Sequence, residues 1–256
     1  LNSDHHRSAQ IAAAILLLFF IIWELAVRSY KIQPYLLPSP THILKTLYTN
    51  PGLYAQASWF TLGEAMAGLL LGVLAGVFLA SLLSLAPGLE GGVMMLAILL
   101  KSTPMVAIAP LLTLWLGFGV LPKIIITALL TFFPVLVNML SGLNSTEKAL
   151  IDLFRSWHTG RWDTYFHLRL PYALPYLFAS LKISAPLALI GAVVAEWTGA
   201  SGGLGRTMWL AYTNLNLPYL FAAIFILAAA GMLSYWGLAG LERRCVFWKP
   251  TPQNEL

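Results

Sequence analysis

The stretch "FRSWHTGRWDTYFHLRLPYALPYLF" (Phe154–Phe178) is the longest part of the chain in which charged, histidine and aromatic side chains occur together. It contains three arginines, one aspartate and two histidines, and it leads into two prolines. The residues before and after it are strongly apolar. A polar, basic segment between two apolar blocks is typical of a loop that joins two membrane-spanning helices.

Composition places the whole chain among membrane proteins. Of its 256 residues, 59% are hydrophobic and 10% are charged, whereas a soluble domain has roughly 25% charged residues. The net charge of +5 does not indicate nucleic-acid binding, because the basic residues lie at the edges of apolar runs without a patch of interleaved aromatics. The single Cys245 and the lack of Cys/His clusters with metal-ligand spacing predict that this chain binds no metal or other cofactor.

Six apolar windows are long enough to cross the roughly 30 Å hydrocarbon core of a bilayer. They lie near residues 10–28, 60–84, 92–118, 121–143, 172–197 and 218–240. The third window contains Pro104 and Pro110, so we expect its helix to kink or to begin late, leaving 92–103 as an interfacial segment. The sequence therefore predicts an all-α membrane protein with six transmembrane helices.

Basic residues in the loops predict the orientation, because cytoplasmic loops carry an excess of Lys and Arg. With the N-terminus inside, the cytoplasmic segments hold Arg7, Lys148, Arg155, Arg161, Arg169, Arg243, Arg244 and Lys249. The opposite side holds Arg28, Lys31, Lys45, Lys123 and Arg206. This bias predicts that both termini are cytoplasmic. We expect one transmembrane domain over 1–256, with an anchor helix at about 10–28, core spans within 60–240 and a cytoplasmic loop at about 145–171.

The cytoplasmic loop is predicted to form a helix, a turn and a second helix. A capping residue at Ser145 or Thr146 followed by Glu147 indicates a helix start, and "HTG" breaks the helix at 158–160. We expect the loop to present four aromatic side chains, Trp157, Trp162, Tyr165 and Phe166. They could dock into a groove of a partner protein or lie at the level of the lipid headgroups.

The loop resembles the cytoplasmic "EAA" loop of permease subunits of bacterial ABC importers. That pattern is Glu-Ala-Ala, three residues, Gly, nine residues, Ile, one residue and Leu-Pro. Aligning Leu170 and Pro171 with its end places Asp152 at the Glu position and His158 at the Gly position. The second alanine position holds Phe154. The spacing of the loop therefore matches the family pattern, while some of its residue types differ.

Three further stretches are similar to the permeases for nitrate, sulfonates, taurine and thiamine pyrimidine precursors. These are "PSPTHILKTL" (38–47), "LKSTPMVAIAPLLTLWLGFG" (100–119) and "AEWTGASGGLGRTMWLAYTN" (195–214), and the likeness covers residues 35–248. The resemblance implies a type I importer fold in the bacterial inner membrane. It also implies a second permease copy, expected to form a homodimer, two ATPase subunits that bind ATP and Mg²⁺, and an external substrate-binding protein.

Two groups of residues are candidates for transport, the first from the resemblance and the second from charges and prolines within the spans. The ATPase-coupling residues would be Asp152, Phe154, Arg155, Ser156, His158, Thr159, Gly160, Arg161, Leu170 and Pro171. The pathway or gating candidates are Glu64, Lys101, Pro104, Pro110 and Glu196.

Each charged candidate also has a structural interpretation. Glu64 could line the pathway or pair with a base at the outer interface, and Lys101, near the inner end of its span, could attract an anionic substrate or face the cytoplasm. Glu196 could gate the transport pathway, contact the binding protein or form a hydrogen bond to the end of a helix. Gly68, Gly72 and Gly76 lie four residues apart, which predicts close helix packing.

The predicted function is transport without chemistry, by ATP-driven import of a small organic anion or zwitterion. An ion-coupled secondary transporter is the alternative; it would need ionisable groups and discontinuous helices at mid-membrane. An intramembrane enzyme would need a catalytic cluster within the spans. His158 and His167 instead lie in the loop, and no catalytic pairing is visible in the sequence.

Overall fold

The computed structural model describes residues 2–248, and all regular elements in this range are helical. Lys249, counted above for the orientation, lies outside it. The α-helices are α1 Asn2–Ser29, α2 Pro40–Thr49, α3 Pro51–Leu85, α4 Glu90–Ser102, α5 Met105–Leu116, α6 Leu121–Asn144, α7 Lys148–Ser156, α8 Arg161–Thr164, α9 Leu170–Glu196, α10 Leu204–Thr213 and α11 Leu217–Cys245. A 3₁₀ turn occupies Pro87–Leu89 and a π-helical turn occupies Tyr165–Arg169.

Five helices are long and apolar enough to cross a membrane, namely α1, α3, α6, α9 and α11. The segment from the 3₁₀ turn through α5 is also apolar, but it bends by 91° between Ser102 and Met105. Counting this bent pair as one span gives six, as the sequence predicted. The kink expected from the prolines is present at this bend. The segment 92–103, expected to be interfacial, lies in the regular helix α4, whose Ala97 shares a buried cluster with Leu136 and Met139 of α6.

The centre of the bundle is formed by α3, α6 and α9. Gly68, Gly72 and Gly76 lie along the face of α3 that meets α6, and all three are buried. A Cβ at Gly72 would come 2.7 Å from the Ala128 carbonyl oxygen, and one at Gly76 would come 3.0 Å from the Phe132 carbonyl oxygen. Side chains at these positions are excluded because the two backbones touch, which is the close packing that the glycine spacing predicted.

The first helix, α1, lies at the edge of the bundle. Val27 is its only buried side chain among residues 10–29. The Trp23 ring packs beside Phe221 and Phe225 of α11, with centroids 5.8 and 6.1 Å apart. Glu24 accepts hydrogen bonds from the Thr41 amide and hydroxyl groups, which join α1 to the start of α2.

Two short helices, α2 and α10, cover the end of the bundle opposite the polar loop. Ile43 of α2 and Leu204 of α10 share a buried cluster with Tyr54 and Ala222. The glycine-rich segment before α10 forms a turn, with Gly199 and Gly203 at φ of 117° and 110°. The helix that follows this turn was not anticipated.

Candidate functional site: the polar loop and the charged groups of the spans

The polar loop begins later than the sequence suggested. We expected its first helix to start at Ser145 or Thr146, but α7 starts at Lys148. Ser145 instead ends α6, because both its amide and its hydroxyl group donate hydrogen bonds to the Gly142 carbonyl oxygen. Thr146 is buried between the two helices. Ser145 is therefore the C-cap of the helix before the loop.

Helix α7 has one face against the protein and one face in the open. Leu150, Ile151 and Phe154 are half-buried. Asp152 and Arg155 are exposed and form an ion pair with an N···O distance of 3.4 Å. Because this pair is largely solvated, it adds little to stability. The open face is free to contact a partner.

The turn after α7 depends on a left-handed residue. His158 has φ of +57°, and its amide donates to the Arg155 carbonyl oxygen at 2.9 Å. Thr159 then donates from both its amide and its hydroxyl group to the Phe154 carbonyl oxygen. His158 occupies the glycine position of the resembling pattern. A left-handed conformation costs a residue with a Cβ about 1–2 kcal/mol, which explains why a glycine suits this position.

Two hydrogen-bonded contacts hold the loop to the end of α3. The Tyr165 hydroxyl lies 2.6 Å from Ser81 Oγ, and Arg169 Nη1 donates to Ser84 Oγ at 3.0 Å. Our expectation that Tyr165 is presented to a partner is therefore wrong, since its side chain is buried against α3. The other three aromatic residues of the loop, Trp157, Trp162 and Phe166, are exposed.

The ten candidate coupling residues fall into two groups. Eight of them, from Asp152 to Arg161, form the tip of the loop, where most are exposed. Leu170 and Pro171 instead begin α9 and are half-buried at the base of the loop. Between the loop and the end of α3 lies a cavity of about 560 Å³. Three arginines line it, Arg155, Arg161 and Arg169.

Glu64 forms a buried ion pair with Lys123. The Lys123 Nζ donates to Glu64 Oε1 at 2.6 Å, and the two side chains are only 4% and 8% exposed, Glu64 being the more buried. The pair joins α3 to α6 within the bundle. Sequence analysis treated Lys123 as a loop residue, but it lies in the first turn of α6. A second pair that sequence analysis missed, Lys182 with Glu242 at 2.7 Å, joins α9 to α11.

Glu196 organises the end of the bundle opposite the loop. Its carboxylate is fully buried and accepts hydrogen bonds from the Thr61 hydroxyl and from the amides of Gly205 and Arg206. These bonds connect the end of α9 to α3 and to the first turn of α10. A negative charge at a helix N-terminus is favourable. Of the roles that the sequence suggested for Glu196, this arrangement matches hydrogen bonding to the end of a helix.

The remaining pathway candidates lie in or near the broken third span. Thr103 and Pro104 form the break, and Pro110 lies inside α5. The Lys101 Nζ lies 4.7 Å from the ring centre of Phe133, which is near the middle of the 24-residue α6. Lys101 is therefore at mid-depth in the bundle, and its expected position near the inner end of the span is wrong.

Comparison with known proteins identifies the family. Residues 68–246 match the family described as the binding-protein-dependent transport system inner membrane component. The formylaminopyrimidine transport permease protein of Halalkalibacterium halodurans is 36% identical over 234 residues, which cover 91% of this chain and 93% of that protein. The taurine transport system permease protein of Escherichia coli is 27% identical over 249 residues, which cover 94% of this chain and 90% of that protein.

The fold is also found among solved structures. The methionine ABC transporter MetNI, in an inward-facing conformation, matches with a TM-score of 0.68 at 18% identity, covering 75% of this chain and 96% of the matched chain. This likeness shows the type I importer permease fold. Because the family match spans α3 to α11 and the Halalkalibacterium relative is similar over nearly its whole length, the chain belongs to the binding-protein-dependent transport system inner membrane component family.

Proposed function

We propose that the chain is the membrane-spanning subunit of an ATP-driven importer, which passes a small organic compound from an external binding protein into the cytoplasm by alternating access. ATP and Mg²⁺ bind to separate ATPase subunits, and the chain itself performs no chemistry. The observation that carries the proposal is the loop of residues 148–169. Its tip is open, and its base is fixed to α3 through Tyr165 and Arg169.

The loop geometry suits the transmission of force. A movement of the ATPase against α7 would reach α3 through the Tyr165 hydroxyl and would reach α9 through the π-helical turn that precedes it. Both α3 and α9 belong to the centre of the bundle. Rigid-body movement of packed helices is one of the known forms of conformational switching. The exposed tip, Asp152 to Arg161, is the part we assign to the ATPase contact.

The assembly we propose contains two copies of the chain, because each copy offers one loop and an ATPase pair has two grooves. The proposed location is the bacterial inner membrane, with the loop and both termini in the cytoplasm. The excess of basic residues on the loop side supports this orientation. Closed twofold dimers are also the commonest form of homo-oligomer.

The proposed substrate is a small organic anion or zwitterion. The named relatives transport formylaminopyrimidine and taurine, which are both small polar compounds. Ion-coupled transport is the alternative, and the broken third span with Lys101 has the form that it would require. The family match favours the ATP-driven function, because its members act with a binding protein.

The experiment that tests the proposal is capture of the tagged, detergent-solubilised chain from its native membrane, followed by mass spectrometry. The double variant His158→Glu/Arg161→Glu reverses charge at the loop tip. Lys45→Glu is the matched control, because Lys45 is an exposed residue of α2 at the opposite end of the bundle.

We expect the unaltered chain and Lys45→Glu to recover an ATPase subunit and the double variant to lose it. Equal recovery by all three proteins would contradict the assignment of the loop tip. If no ATPase is recovered from membranes in which other importers stay intact, the ATP-driven function is wrong. Uptake driven by an ion gradient would then be measured.

A further inference from the structure

Lys101 occupies an unusual place in the fold. It lies in the last turn of α4, two residues before the break at Thr103–Pro104. The side chains of Lys101, Ser102 and Thr103 are all exposed. The two hydroxyl groups donate back to carbonyl oxygens of α4, at 2.8 Å for Ser102 and 3.0 Å for Thr103. The ammonium group of Lys101 does not bond back to α4 and lies over the Phe133 ring instead.

Packing on both sides of the break defines its depth. Ala97, before the break, shares a buried cluster with Leu136, and Ala109, after it, shares one with Ile126. The break thus lies level with the residues of α6 between these two contacts. The position of the Lys101 Nζ above the Phe133 ring agrees with this depth. The cation is thus level with the middle of α6.

A cation at this depth needs a counter-charge or water. Lys, Arg or Asp at the centre of a span is costly on insertion scales. The lysine stem is too short to bring the ammonium group across half of a roughly 30 Å hydrocarbon core. The other two lysines inside spans, Lys123 and Lys182, are each paired with a glutamate. Among residues 10–248, Lys101 has no acidic partner.

We propose that Lys101 binds the negatively charged oxyanion group of the transported compound, a sulfonate or carboxylate, at mid-membrane in the water-filled pathway. This inference rests on the proposed import function, and it names the group of the substrate that the pathway recognises. The contact with the Phe133 ring holds the ammonium group by a cation–π interaction when no anion is present. An arriving anion supplies the missing counter-charge.

The test places a thiol beside Lys101 and measures its reaction with charged reagents. Cys245, the only cysteine, is first replaced by Cys245→Ser, and Thr103→Cys is added with Lys101 either present or changed by Lys101→Gln. The full-length chain, with the subunits that co-purify, is placed in lipid nanodiscs, which leave both membrane faces accessible. Reaction rates are compared for sulfonatoethyl and trimethylammonioethyl methanethiosulfonate. Ser201→Cys, in the exposed glycine-rich turn, gives the reference ratio for a thiol far from Lys101.

We expect the anionic reagent to react faster, relative to the reference thiol, by on the order of tenfold when Lys101 is present, as Coulomb attraction at short range predicts. Lys101→Gln should remove this preference. Ethanesulfonate at millimolar concentration should slow the reaction only in the protein that retains Lys101. A size-exclusion profile equal to that of the parent protein shows that each variant is folded.

Three results would overturn the proposal. A thiol that neither reagent reaches would show that Lys101 faces lipid or protein. Equal ratios with and without Lys101 would show that its charge does not act on the pathway. If the anionic reagent reacts faster but ethanesulfonate does not slow it, Lys101 attracts anions by its charge without binding them. The capture experiment does not depend on Lys101 and the thiol experiment does not depend on the ATPase, so the two proposals fail separately.

Discussion

The contact between α3 and α6 can be tested with two glycines of the same helix. Gly72 is buried, and an added Cβ would come 2.7 Å from the Ala128 carbonyl oxygen and 3.2 Å from the Phe132 amide nitrogen. An added Cβ at Gly63 would have nothing within 4 Å. Both residues lie inside the 35-residue α3. The substitutions Gly72→Ala and Gly63→Ala therefore differ only in what the new methyl group meets.

The expected magnitudes follow from two opposing effects. Alanine in place of glycine favours a helix by about 0.8–1 kcal/mol at either position. At Gly72 the nearest atom is the Thr131 hydroxyl oxygen, and the next two are backbone atoms of α6, which cannot rotate away. The helices α3 and α6 must therefore separate by about 0.7 Å (3.4 − 2.7) to reach ordinary contact with the Ala128 oxygen. Overpacking of this kind costs about 1–3 kcal/mol, and loss of the neighbouring close contacts at Gly68 and Gly76 adds to it. We expect a net loss of about 1–2 kcal/mol.

The assay is thermal unfolding in detergent, followed by loss of the monodisperse size-exclusion peak. Since 1 kcal/mol corresponds to roughly 2–4 °C for a chain of 150–250 residues, Gly72→Ala should lower the unfolding temperature by about 2–8 °C. Gly63→Ala should leave it equal or raise it. If the two variants unfold at the same temperature, the backbones of α3 and α6 are not in contact and the packing argument is refuted.

Two further predictions concern the buried charges. Lys123→Met leaves Glu64 buried without its cation and should lower the free energy of unfolding by about 3–5 kcal/mol. The double variant Lys123→Met/Glu64→Met should recover most of this loss. If thermal unfolding shows that the losses of the two single variants simply add, the two residues do not form a direct pair. Gly203→Ala places a Cβ against the Glu196 carboxylate at a residue with positive φ, so the turn before α10 should open. Proteases should then cut this turn faster than in the control Gly237→Ala, where the added Cβ has nothing within 4 Å. Equal cleavage rates would show that Glu196 does not hold the turn.

The sequence predicts the spans well, because bilayer thickness fixes the length of an apolar window. The windows at 121–143 and 218–240 fall within α6 and α11. Helix α3 begins at Pro51, nine residues before the window at 60–84, because polar residues of its first turns lie outside an apolar window. The third span was less predictable. Prolines indicated a disruption there, but whether a helix precedes Pro104 depends on packing against α6.

The site was only partly predictable for a different reason. The spacing from Asp152 to Pro171 predicted a helix followed by a turn, and both are present. The burial of Tyr165 was not predictable, because its partner Ser81 lies 84 residues away and no local pattern connects them. The pairing of Glu64 with Lys123, 59 residues apart, is equally non-local. Charges inside spans show that a partner is needed, but the sequence does not show which partner.

The marginal position of α1 has a consequence for membrane topology. The bundle from α3 to α11 contains five crossings when the bent pair counts as one, and an odd number of crossings leaves its two ends on opposite faces. Adding α1 makes the number even and returns both ends to one face. Because α1 is held mainly by Trp23, Glu24 and a few neighbours, this reversal requires almost no change in the core. Helix α1 thus sets the face of the membrane from which the chain approaches the bundle, and the bundle of α3 to α11 needs no change to accept it.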